Sequence, residues 1–373
     1  MKIELTAEQK MLQSEFKEFT DLEIEPYASL IDKEEYIPKD LINKLKSNGY
    51  LGSMIPKEFG GMGLDNVSIA ILNEEIGRAC SSVRSLLTVH GMVALAILRW
   101  GNEKQKRELL PKFASGEIIG AFALSEAEAG SDASSIQTEA TSKDNMIILN
   151  GRKKWITMGQ IANVYLVFSK YDGEPTAFLV KENASGFSRK PINGLIGLRG
   201  SMTAELFFEN CEINSSSIIG RKGLGLSHVA LNCLDYGRFT IASGCVGIAQ
   251  SCLERSISYS YKRKQFGQEL IENQLVQRMI TGMVVDIEAA RLLCYQAAFL
   301  KDTLDPESIM KTWIAKYFSS KMVNRVANDA VQIHGANGCS DSYPLERYMR
   351  DAKINEIIEG TTQLHEVLIG RNA

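Results

Sequence analysis

Residues 118–132 read Ile-Ile-Gly-Ala-Phe-Ala-Leu-Ser-Glu-Ala-Glu-Ala-Gly-Ser-Asp, and the character of the chain changes at this segment. Its first seven residues form a short apolar run that is typical of a buried strand, whereas the residues before it have helical period. Ser125 and Gly130-Ser131-Asp132 then predict a tight turn, which offers backbone N–H groups and hydroxyls to a polar or anionic ligand. Taken alone, the segment is more typical of an ordinary loop between strands.

Residues 1–115 predict a helical domain. Thr6-Ala-Glu-Gln9 has the pattern of a capping box at the start of the first helix. Pro38 suits the first turn of a later helix. Val67–Cys80 and Leu86–Trp100 have the period of two longer and more buried helices, so we expect this domain to contain helices only.

Residues 116–220 predict a small β domain, because short runs rich in β-branched and aromatic residues alternate here with turn residues. The predicted strands are Ile118–Leu124, Met146–Leu149, Val164–Phe168, Ala177–Val180 and Leu206–Phe208. The predicted turns lie at Asp144-Asn145, Asn150-Gly151, Asp172-Gly173 and Asn193-Gly194. We expect these strands to form a barrel or a sandwich.

Residues 221–373 return to helical period. Ile241–Tyr261, Gln274–Leu300 and Pro306–His334 are long enough for the antiparallel helices of a bundle. The preceding Gly220-x-x-Gly223-x-Gly225 lacks the G-x-G-x-x-G spacing of a dinucleotide site and predicts a turn from strand to helix. The fold class is therefore α+β and mostly α, with a helical, a β and a second helical domain in that order.

Composition excludes several classes of partner. The 373 residues carry a net charge of −3 and contain no dense basic run, which argues against binding to nucleic acid or to an anionic membrane surface. Lys2 and Glu4 interrupt any N-terminal apolar stretch, so we expect no export signal. The longest apolar stretch, around Met92–Leu98, predicts no insertion into a membrane.

The cysteines and histidines predict neither disulfides nor a metal site. Seven cysteines occur without a C-x-x-C pair, at positions Cys80, Cys211, Cys233, Cys245, Cys252, Cys294 and Cys339. This odd set is unlike a disulfide framework and favours reduced thiols in the cytoplasm. His90, His228 and His334 have no spacing that is typical of metal ligands.

Six segments, taken in order, resemble the acyl-CoA dehydrogenase family of flavoenzymes. They are Ser125-Glu-x-x-x-Gly-Ser-Asp132, Gly151-Arg-Lys-Lys-Trp-Ile-Thr157, Arg263-Lys-Gln-Phe-Gly267, Val331-Gln-Ile-His-Gly335, Tyr343-Pro-Leu-Glu-Arg-Tyr-Met-Arg-Asp-Ala-Lys353 and Ile358-Glu-Gly-Thr-Thr-Gln363. One such fragment would be a weak signal, but six collinear fragments are specific. The resemblance runs essentially from end to end and implies a middle β-barrel domain and a C-terminal four-helix bundle.

The resemblance also implies FAD as the cofactor, bound between the β domain and the C-terminal bundle and completed by a neighbouring subunit of a homodimer or homotetramer. Residues expected near the flavin ring and ribityl chain are Phe122, Leu124, Ser125, Gly130, Ser131, Trp155 and Thr157. Residues expected to reach the pyrophosphate and adenine from the other subunit are Arg263, Phe266, Gln274, Gln332 and Ala336. Thr361 and Gln363 are also expected to contact FAD.

Glu359 resembles the catalytic base of the family, which removes the α-proton of an acyl thioester while the β-hydrogen leaves as hydride to the flavin. Burial would raise the pKa of such a carboxyl and make it a stronger base. Some relatives carry the base just before the arginine that matches Arg238, where this chain has Gly237. Arg238 itself is expected near the substrate.

The sequence leaves the substrate and the electron acceptor open. The leading interpretation is an acyl-CoA dehydrogenase that passes electrons to an electron-transfer flavoprotein or a similar acceptor. A second interpretation keeps FAD but takes an acyl-carrier-protein substrate, such as a hydroxymalonyl precursor of a polyketide extender unit. A third is a non-catalytic scaffold that binds flavin or acyl groups, against which Glu359 and Arg263 argue.

Overall fold

The computed structural model describes residues 4–144 and 146–373. The N-terminal part consists of α1 (Ala7–Phe19), α2 (Ala28–Glu34), α3 (Lys39–Ser47), α4 (Asn66–Ala79), α5 (Ser81–Trp100) and α6 (Glu103–Ala114), joined by short π- and 3₁₀-turns. The capping box at Thr6 and Gln9 is present, and α3 follows Pro38, as the sequence predicts. This part of the chain is helical throughout its described residues.

The middle of the chain forms one mixed eight-stranded sheet. Its strands are β1 (Gly120–Ala123), β2 (Glu139–Lys143), β3 (Met146–Ile156), β4 (Val164–Tyr171), β5 (Glu174–Lys181), β6 (Phe187–Pro191), β7 (Ala204–Asn214) and β8 (Ile218–Ile219). The order is β6-β7-β3-β2-β4-β5-β8, and β1 runs parallel to β4. Among the described residues, no pairing joins the edge strands β6 and β8, so backbone hydrogen bonds do not close this sheet into a ring.

Two of the predicted turns are wrong. Asn150-Gly151 lies inside the long strand β3, where the register against β7 shifts at a bulge and Gly151 has φ 147°. A bulge uses the same residue types as a turn, because both need backbone conformations that glycine adopts easily. Asn193-Gly194 lies in a longer connection between β6 and β7. Asp172-Gly173 does join β4 to β5, and Asn145 of the remaining turn lies outside the described residues.

The C-terminal part contains three long helices, α7 (Leu231–Lys262), α8 (Gln274–Asp302) and α9 (Ser308–His334), which pack on one another. A short hairpin of β9 (Lys264–Gln265) and β10 (Gln268–Glu269) lies between α7 and α8. Two short helices, α10 (Leu345–Asn355) and α11 (Thr362–Asn372), pack against α9 and complete the bundle. Gly220–Gly225 forms the predicted turn from strand to helix.

The sheet contributes to two hydrophobic cores. Along β4, Leu166 and Phe168 join a large core shared with the helices, whereas Tyr165 and Val167 join a smaller core formed by the sheet's other face. Because both faces of β4 are buried, its sequence is an unbroken apolar run rather than an alternating one. The sheet is thereby fixed against the helical parts.

Helix α5 is more apolar than the sequence analysis allowed. An 18-residue stretch of this 20-residue helix has a mean hydropathy of 1.5, so length and composition alone would let it cross a membrane. However, 94% of that stretch is buried inside the protein. It is the central helix of the large core, which is the ordinary role of such a helix in a protein of this size.

One face of α7 carries no side chains where α4 crosses it. A Cβ atom at Gly247 would lie 1.9 Å from the backbone oxygen of Glu74, and one at Gly77 would lie 2.8 Å from the Cα atom of Gly244. Contacts this short to backbone cannot be relieved by a side-chain rotation. The two helices can therefore approach this closely only because these positions are glycine.

We expect Gly247→Ala to lower the free energy of unfolding by at least ~2 kcal/mol, because the new methyl group must push α4 and α7 apart. Gly370→Ala is the matched control, since Gly370 lies near the end of α11 with no atom within 4 Å of an added Cβ. Chemical denaturation of both variants measures the difference. Equal stability of the two would show that α4 and α7 are not in this close contact.

Candidate active site

Glu359 lies in a tight connection between α10 and α11. The N–H groups of Ile357 and Ile358 donate to the carbonyl oxygen of Ile354, and the chain then turns sharply. Glu359 has φ 54° and Gly360 has φ 98°, after which the Thr361 side chain caps α11. A left-handed backbone is costly for a residue other than glycine and is frequent at functional sites. The turn points the Glu359 carboxyl towards α7.

Two buried cations hold the backbone of this turn. Nε of Arg238, on α7, donates to the carbonyl oxygen of Glu359 at 3.0 Å. Nζ of Lys316, on α9, donates to the carbonyl oxygen of Gly360 at 2.7 Å and is fully buried. Both cations bind main-chain oxygens, so neither neutralises the Glu359 carboxylate directly. The Oε2 atom of Glu359 is buried and accepts no hydrogen bond from the described residues.

Gly237 provides the space that the Glu359 carboxyl fills. A Cβ atom at this position would lie 2.6 Å from the carboxyl carbon and 2.7 Å from Oε2. No larger residue can therefore stand at 237 while Glu359 keeps its place. The sequence has glycine rather than a second candidate base at 237. The structure explains this, because a side chain there would overlap the Glu359 carboxyl.

Burial dominates the titration of this region. It raises the pKa of Glu359 to about 7, against the opposing charges of Arg238, Lys316 and Arg84. Burial also lowers the pKa of Lys316 to about 8. A carboxyl with a pKa near neutrality is suited to general-base catalysis. Among the described residues, no three His, Cys, Asp or Glu side chains are close enough to hold a metal ion.

The residues expected near the flavin ring come together at the ends of β1 and β3. Phe122 lies on β1, and Leu124 and Ser125 follow it directly. The N–H of Lys154 donates to the carbonyl oxygen of Ser125 at 2.9 Å, which joins the first signature to the second. Trp155 lies on β3, and Thr157 follows the last residue of that strand. Gly130 and Ser131 are exposed in the loop beyond Ser125.

A buried ion pair supports this loop from behind. Nζ of Lys153 donates to Oε1 of Glu126 at 2.7 Å and to the carbonyl oxygen of Leu124 at 3.0 Å. Glu126 also accepts from the N–H groups of Gln137 and Thr138. Burial lowers the pKa of Lys153 to about 8, and the charge of Lys153 lowers the pKa of Glu126 although burial alone would raise it. The pair fixes both ends of the loop to β3.

Two of the expected flavin contacts are exposed aromatic side chains with left-handed backbones. Trp155 has φ 63° and 52% of its surface is exposed, and Nζ of Lys154 lies 5.0 Å from its ring centre. Phe266 has φ 52° and is fully exposed. An isolated protein gains nothing from presenting large aromatic rings in this way, and a bound planar ligand or a neighbouring subunit would cover them.

The remaining candidates lie at one end of the C-terminal bundle. Arg263 caps the end of α7, and Gln274 begins α8 directly after the hairpin that carries Phe266. Gln332 is in the last turn of α9, and Ala336 follows that helix. Asn337 donates to the hydroxyl of Tyr259, so the ends of α7 and α9 are in contact. No hydrogen bond or ion pair between described residues joins this group to Trp155 or Ser125.

Residues expected to contact FAD at the start of α11 are close to Glu359. Thr361 is used as the N-cap, its side chain accepting from the N–H of Leu364 at 3.2 Å. Its hydroxyl hydrogen remains available to a ligand. Gln363 is exposed on the first turn of α11.

Sequence reasoning missed four buried charged residues around the site, namely Arg84, Glu126, Lys153 and Lys316. Glu126 and Lys153 lie inside the segments 125–132 and 151–157 that resemble the family. The resemblance assigns roles there only to neighbouring hydroxyl, glycine and aromatic residues. Arg84 gave a usable signal, because it is a cation near the start of the apolar stretch that forms α5. Lys316 gave none, since a lysine on a long helix is usually on its solvated face.

The described residues fit a bound FAD at this place. The Trp155 ring is exposed beside the site, and a Cβ atom at Gly130 would meet nothing within 4 Å. The orphaned Oε2 atom of Glu359 marks where a substrate would meet the protein. Trp155 can cover one face of a flavin, and Ser131 and Thr157 can satisfy its polar atoms.

Comparison with known proteins shows the family of the chain. Models of the N-terminal, middle and C-terminal domains of acyl-CoA dehydrogenases match residues 6–117, 121–211 and 225–373. An acyl-CoA dehydrogenase of Bacillus subtilis is 38% identical over 376 residues, covering 98% of each chain. Butyryl-CoA dehydrogenase from Megasphaera elsdenii superposes with a TM-score of 0.96 at 34% identity, covering 100% of this chain and 99% of that one.

A second similar structure contains the expected cofactor. It is an acyl-CoA dehydrogenase from Bacillus anthracis in complex with FAD, with a TM-score of 0.93 at 30% identity, covering 99% of this chain and 67% of that one. The predicted fold class and FAD as cofactor are both confirmed. The chain belongs to the acyl-CoA dehydrogenase family, whose members are FAD-dependent oxidoreductases.

Proposed function

We propose that this protein desaturates an acyl thioester and that Glu359 is the base that removes the α-proton. The observation that carries the proposal is the buried Oε2 atom of Glu359, which has no partner among the described residues. A structural carboxylate would be paired, because an unpaired buried charge is costly. A carboxyl kept unpaired, with its pKa raised to about 7, is suited to accepting a proton.

The residues around this carboxyl have separate roles in the proposed reaction. Bound FAD supplies the acceptor for the β-hydrogen, which leaves as a hydride. Glu359 would take the α-proton, and by the family resemblance its own backbone N–H would donate to the thioester oxygen and so acidify that proton. Arg238 and Lys316 hold the turn by its carbonyl oxygens and keep the carboxyl in place. Trp155 excludes water from the flavin side of the site.

We further propose the assembly and partners that the family resemblance implies. Arg263, Phe266, Gln274, Gln332 and Ala336 would reach the FAD of a neighbouring subunit, so the active form would be a homodimer or homotetramer. The full exposure of Phe266 supports this arrangement. Electrons would pass to an electron-transfer flavoprotein or a similar acceptor. The change from helix to strand between Ala114 and Gly120, and the return to helix after Ile219, support domain bounds at 1–115, 116–220 and 221–373.

Two alternatives differ in what they require. A carrier-protein substrate would use the same base and flavin, and the two carriers are distinguished by comparing turnover of one acyl group on CoA and on the carrier protein. A non-catalytic scaffold would have no use for an unpaired carboxyl at the centre of the molecule. Nothing in the site favours either alternative over acyl-CoA dehydrogenation.

We expect Glu359→Gln to retain FAD but to slow flavin reduction by an active acyl-CoA at least ~10²–10⁴-fold, because the amide cannot accept the proton. Single-turnover bleaching of the flavin without oxygen measures this rate. Glu356→Gln is the matched control, since Glu356 lies three residues away and pairs with Lys353 at the surface. Bleaching of Glu359→Gln within threefold of the wild type would place the base elsewhere.

We expect Gly237→Ala to slow flavin reduction while FAD binding is unchanged. The added methyl group would overlap the carboxyl carbon of Glu359 and displace the base. Alanine favours the helix by up to ~1 kcal/mol over glycine, so a slower reaction would not reflect loss of α7. The flavin content and the bleaching rate are both measured. An unchanged rate would show that the carboxyl does not lie against Gly237.

We expect flavin reduction at limiting substrate to rise with pH and to reach half its maximum near pH 7, where Glu359 loses its proton. The same shift affects folding. The folded chain holds this proton more tightly than the unfolded chain, so the contribution of Glu359 to stability falls as the pH rises from about 4.5 to about 7. Both pH dependences should be absent from Glu359→Gln, and a rate profile that is flat between pH 5.5 and 8.5 would contradict the assignment.

A further inference from the structure

The loop at residues 198–202, between β6 and β7, has an unusual backbone at both ends. Leu198 has φ 49° and Met202 has φ 46°. Leu198 and Ser201 are buried, so the loop lies inside the protein and not on its surface. A left-handed backbone is unfavourable for residues other than glycine and persists only where the surrounding structure imposes it. The neighbours of this loop therefore determine its conformation.

On one side, the loop supports the chain directly after Thr157. The N–H of Met158 donates to the carbonyl oxygen of Ser201 at 2.8 Å. The N–H of Gln160 donates to the carbonyl oxygen of Met202 at 3.1 Å. Met158 itself has a left-handed backbone, with φ 57°. The position of the β3 end, where we place the flavin, thus depends on the position of this loop.

On the other side, α10 holds the loop through a buried carboxylate. Oδ1 of Asp351 accepts a hydrogen bond from the N–H of Leu198 at 2.6 Å, and only 3% of the Asp351 surface is exposed. Burial raises the pKa of Asp351 to about 6, although the Leu198 N–H and the charge of Arg347 oppose this rise. The group is therefore ionised at neutral pH, and a hydrogen bond to a carboxylate is stronger than one between neutral groups.

The backbones of α10 and the loop are also in direct contact. A Cβ atom at Gly197 would lie 2.4 Å from the carbonyl oxygen of Arg350 and 2.7 Å from the nitrogen of Asp351. Nη1 of Arg350 donates to the carbonyl oxygen of Ile196 at 3.0 Å. Because α10 ends at Asn355, it leads directly into the turn that carries Glu359.

We propose that Asp351 is a positioning residue that sets the spacing between Glu359 and the flavin. This inference rests on the proposed function, in which the proton and the hydride leave neighbouring carbon atoms of one substrate. The base and the flavin must then be held at a fixed spacing, because small misplacements of reacting groups are costly in rate. Asp351 acts through the Leu198 N–H, which joins the helix before the base to the loop beneath Met158.

Amide hydrogen exchange of the FAD-loaded protein tests this link without turnover. We expect Asp351→Ala to speed exchange at Leu198, Met158 and Gln160 at least ~10-fold, because the loop loses its acceptor on α10. Asp351→Asn keeps an acceptor oxygen and should restore most of the protection. Asp341→Ala makes the same change at an exposed aspartate and should change nothing. Unchanged exchange in Asp351→Ala, or equal exchange in Asp351→Ala and Asp351→Asn, would overturn the proposal.

The reaction provides the second measurement, at saturating FAD. We expect Asp351→Ala to lower the limiting rate of flavin bleaching by an active acyl-CoA ~10–10²-fold, as for a displacement of about 1 Å. The acyl-CoA concentration at half the limiting rate should stay within threefold of wild type. An unchanged limiting rate would refute the role of Asp351, whereas failure of the wild type to bleach with any thioester would refute the proposed function.

Gly197→Ala keeps the proposal testable if Asp351→Ala does not fold. The added methyl group would push the loop away from the backbone of α10 while the Asp351 carboxylate is retained. We expect the same faster exchange at Met158 and the same lower limiting rate. Gly370→Ala is the matched control, because its methyl group would meet no atom within 4 Å. Exchange and rate in Gly197→Ala equal to those of this control would overturn the proposal.

Discussion

Three glycines on one face of α7 are the constraint on which the rest of the structure depends. Gly237, Gly244 and Gly247 are spaced by seven and three residues, so they lie on one side of the helix. A different neighbour occupies the space beside each glycine. The carboxyl of Glu359 lies beside Gly237, the stem of Arg84 beside Gly244 and the backbone of α4 beside Gly247. The N-terminal helices and the turn that carries Glu359 therefore all contact the same face of α7.

The buried charges at this line show how a carboxylate can be kept basic beside cations. A guanidinium bonded to the carboxylate would lower its pKa and weaken the base. Arg238 and Lys316 instead bind the carbonyl oxygens of the turn, so they fix its conformation and act on the carboxyl only through space. Burial can then dominate the titration of Glu359. The left-handed backbone at Glu359 is part of this arrangement, because it turns the two carbonyl groups and the carboxyl in different directions.

Periodicity and collinear motifs were sufficient to predict the fold from the sequence. The long helices α7, α8 and α9 have clear apolar period, and β4 is apolar enough to be recognised without alternation. The motifs also identified Glu359 and the residues at the ends of β1 and β3. The turn at Asn150-Gly151 was wrong because a bulge inside a strand and a turn between strands favour the same residues.

The charged residues that support the site could not be predicted in the same way. Lys316 and Lys153 are buried only because distant segments cover them, and tertiary contacts of this kind leave no local pattern. The reason for a glycine at 237 also depends on a contact with Glu359, which is more than a hundred residues away in the sequence. Sequence patterns report the period and the turns of a chain, whereas burial of a single charge is decided by what packs over it.

The contact between Gly237 and Glu359 also restricts how such a chain could change over generations. The family resemblance implies that some relatives carry the base at the position of Gly237, and in this chain that position and the Glu359 carboxyl occupy the same space. A single substitution that placed an acid at 237 would collide with the existing carboxyl, and two carboxylates this close would also disfavour each other's ionisation. Moving the base from the turn at 359 to α7 would therefore require passage through a sequence with an impaired site, which would tend to keep lineages of the two kinds apart.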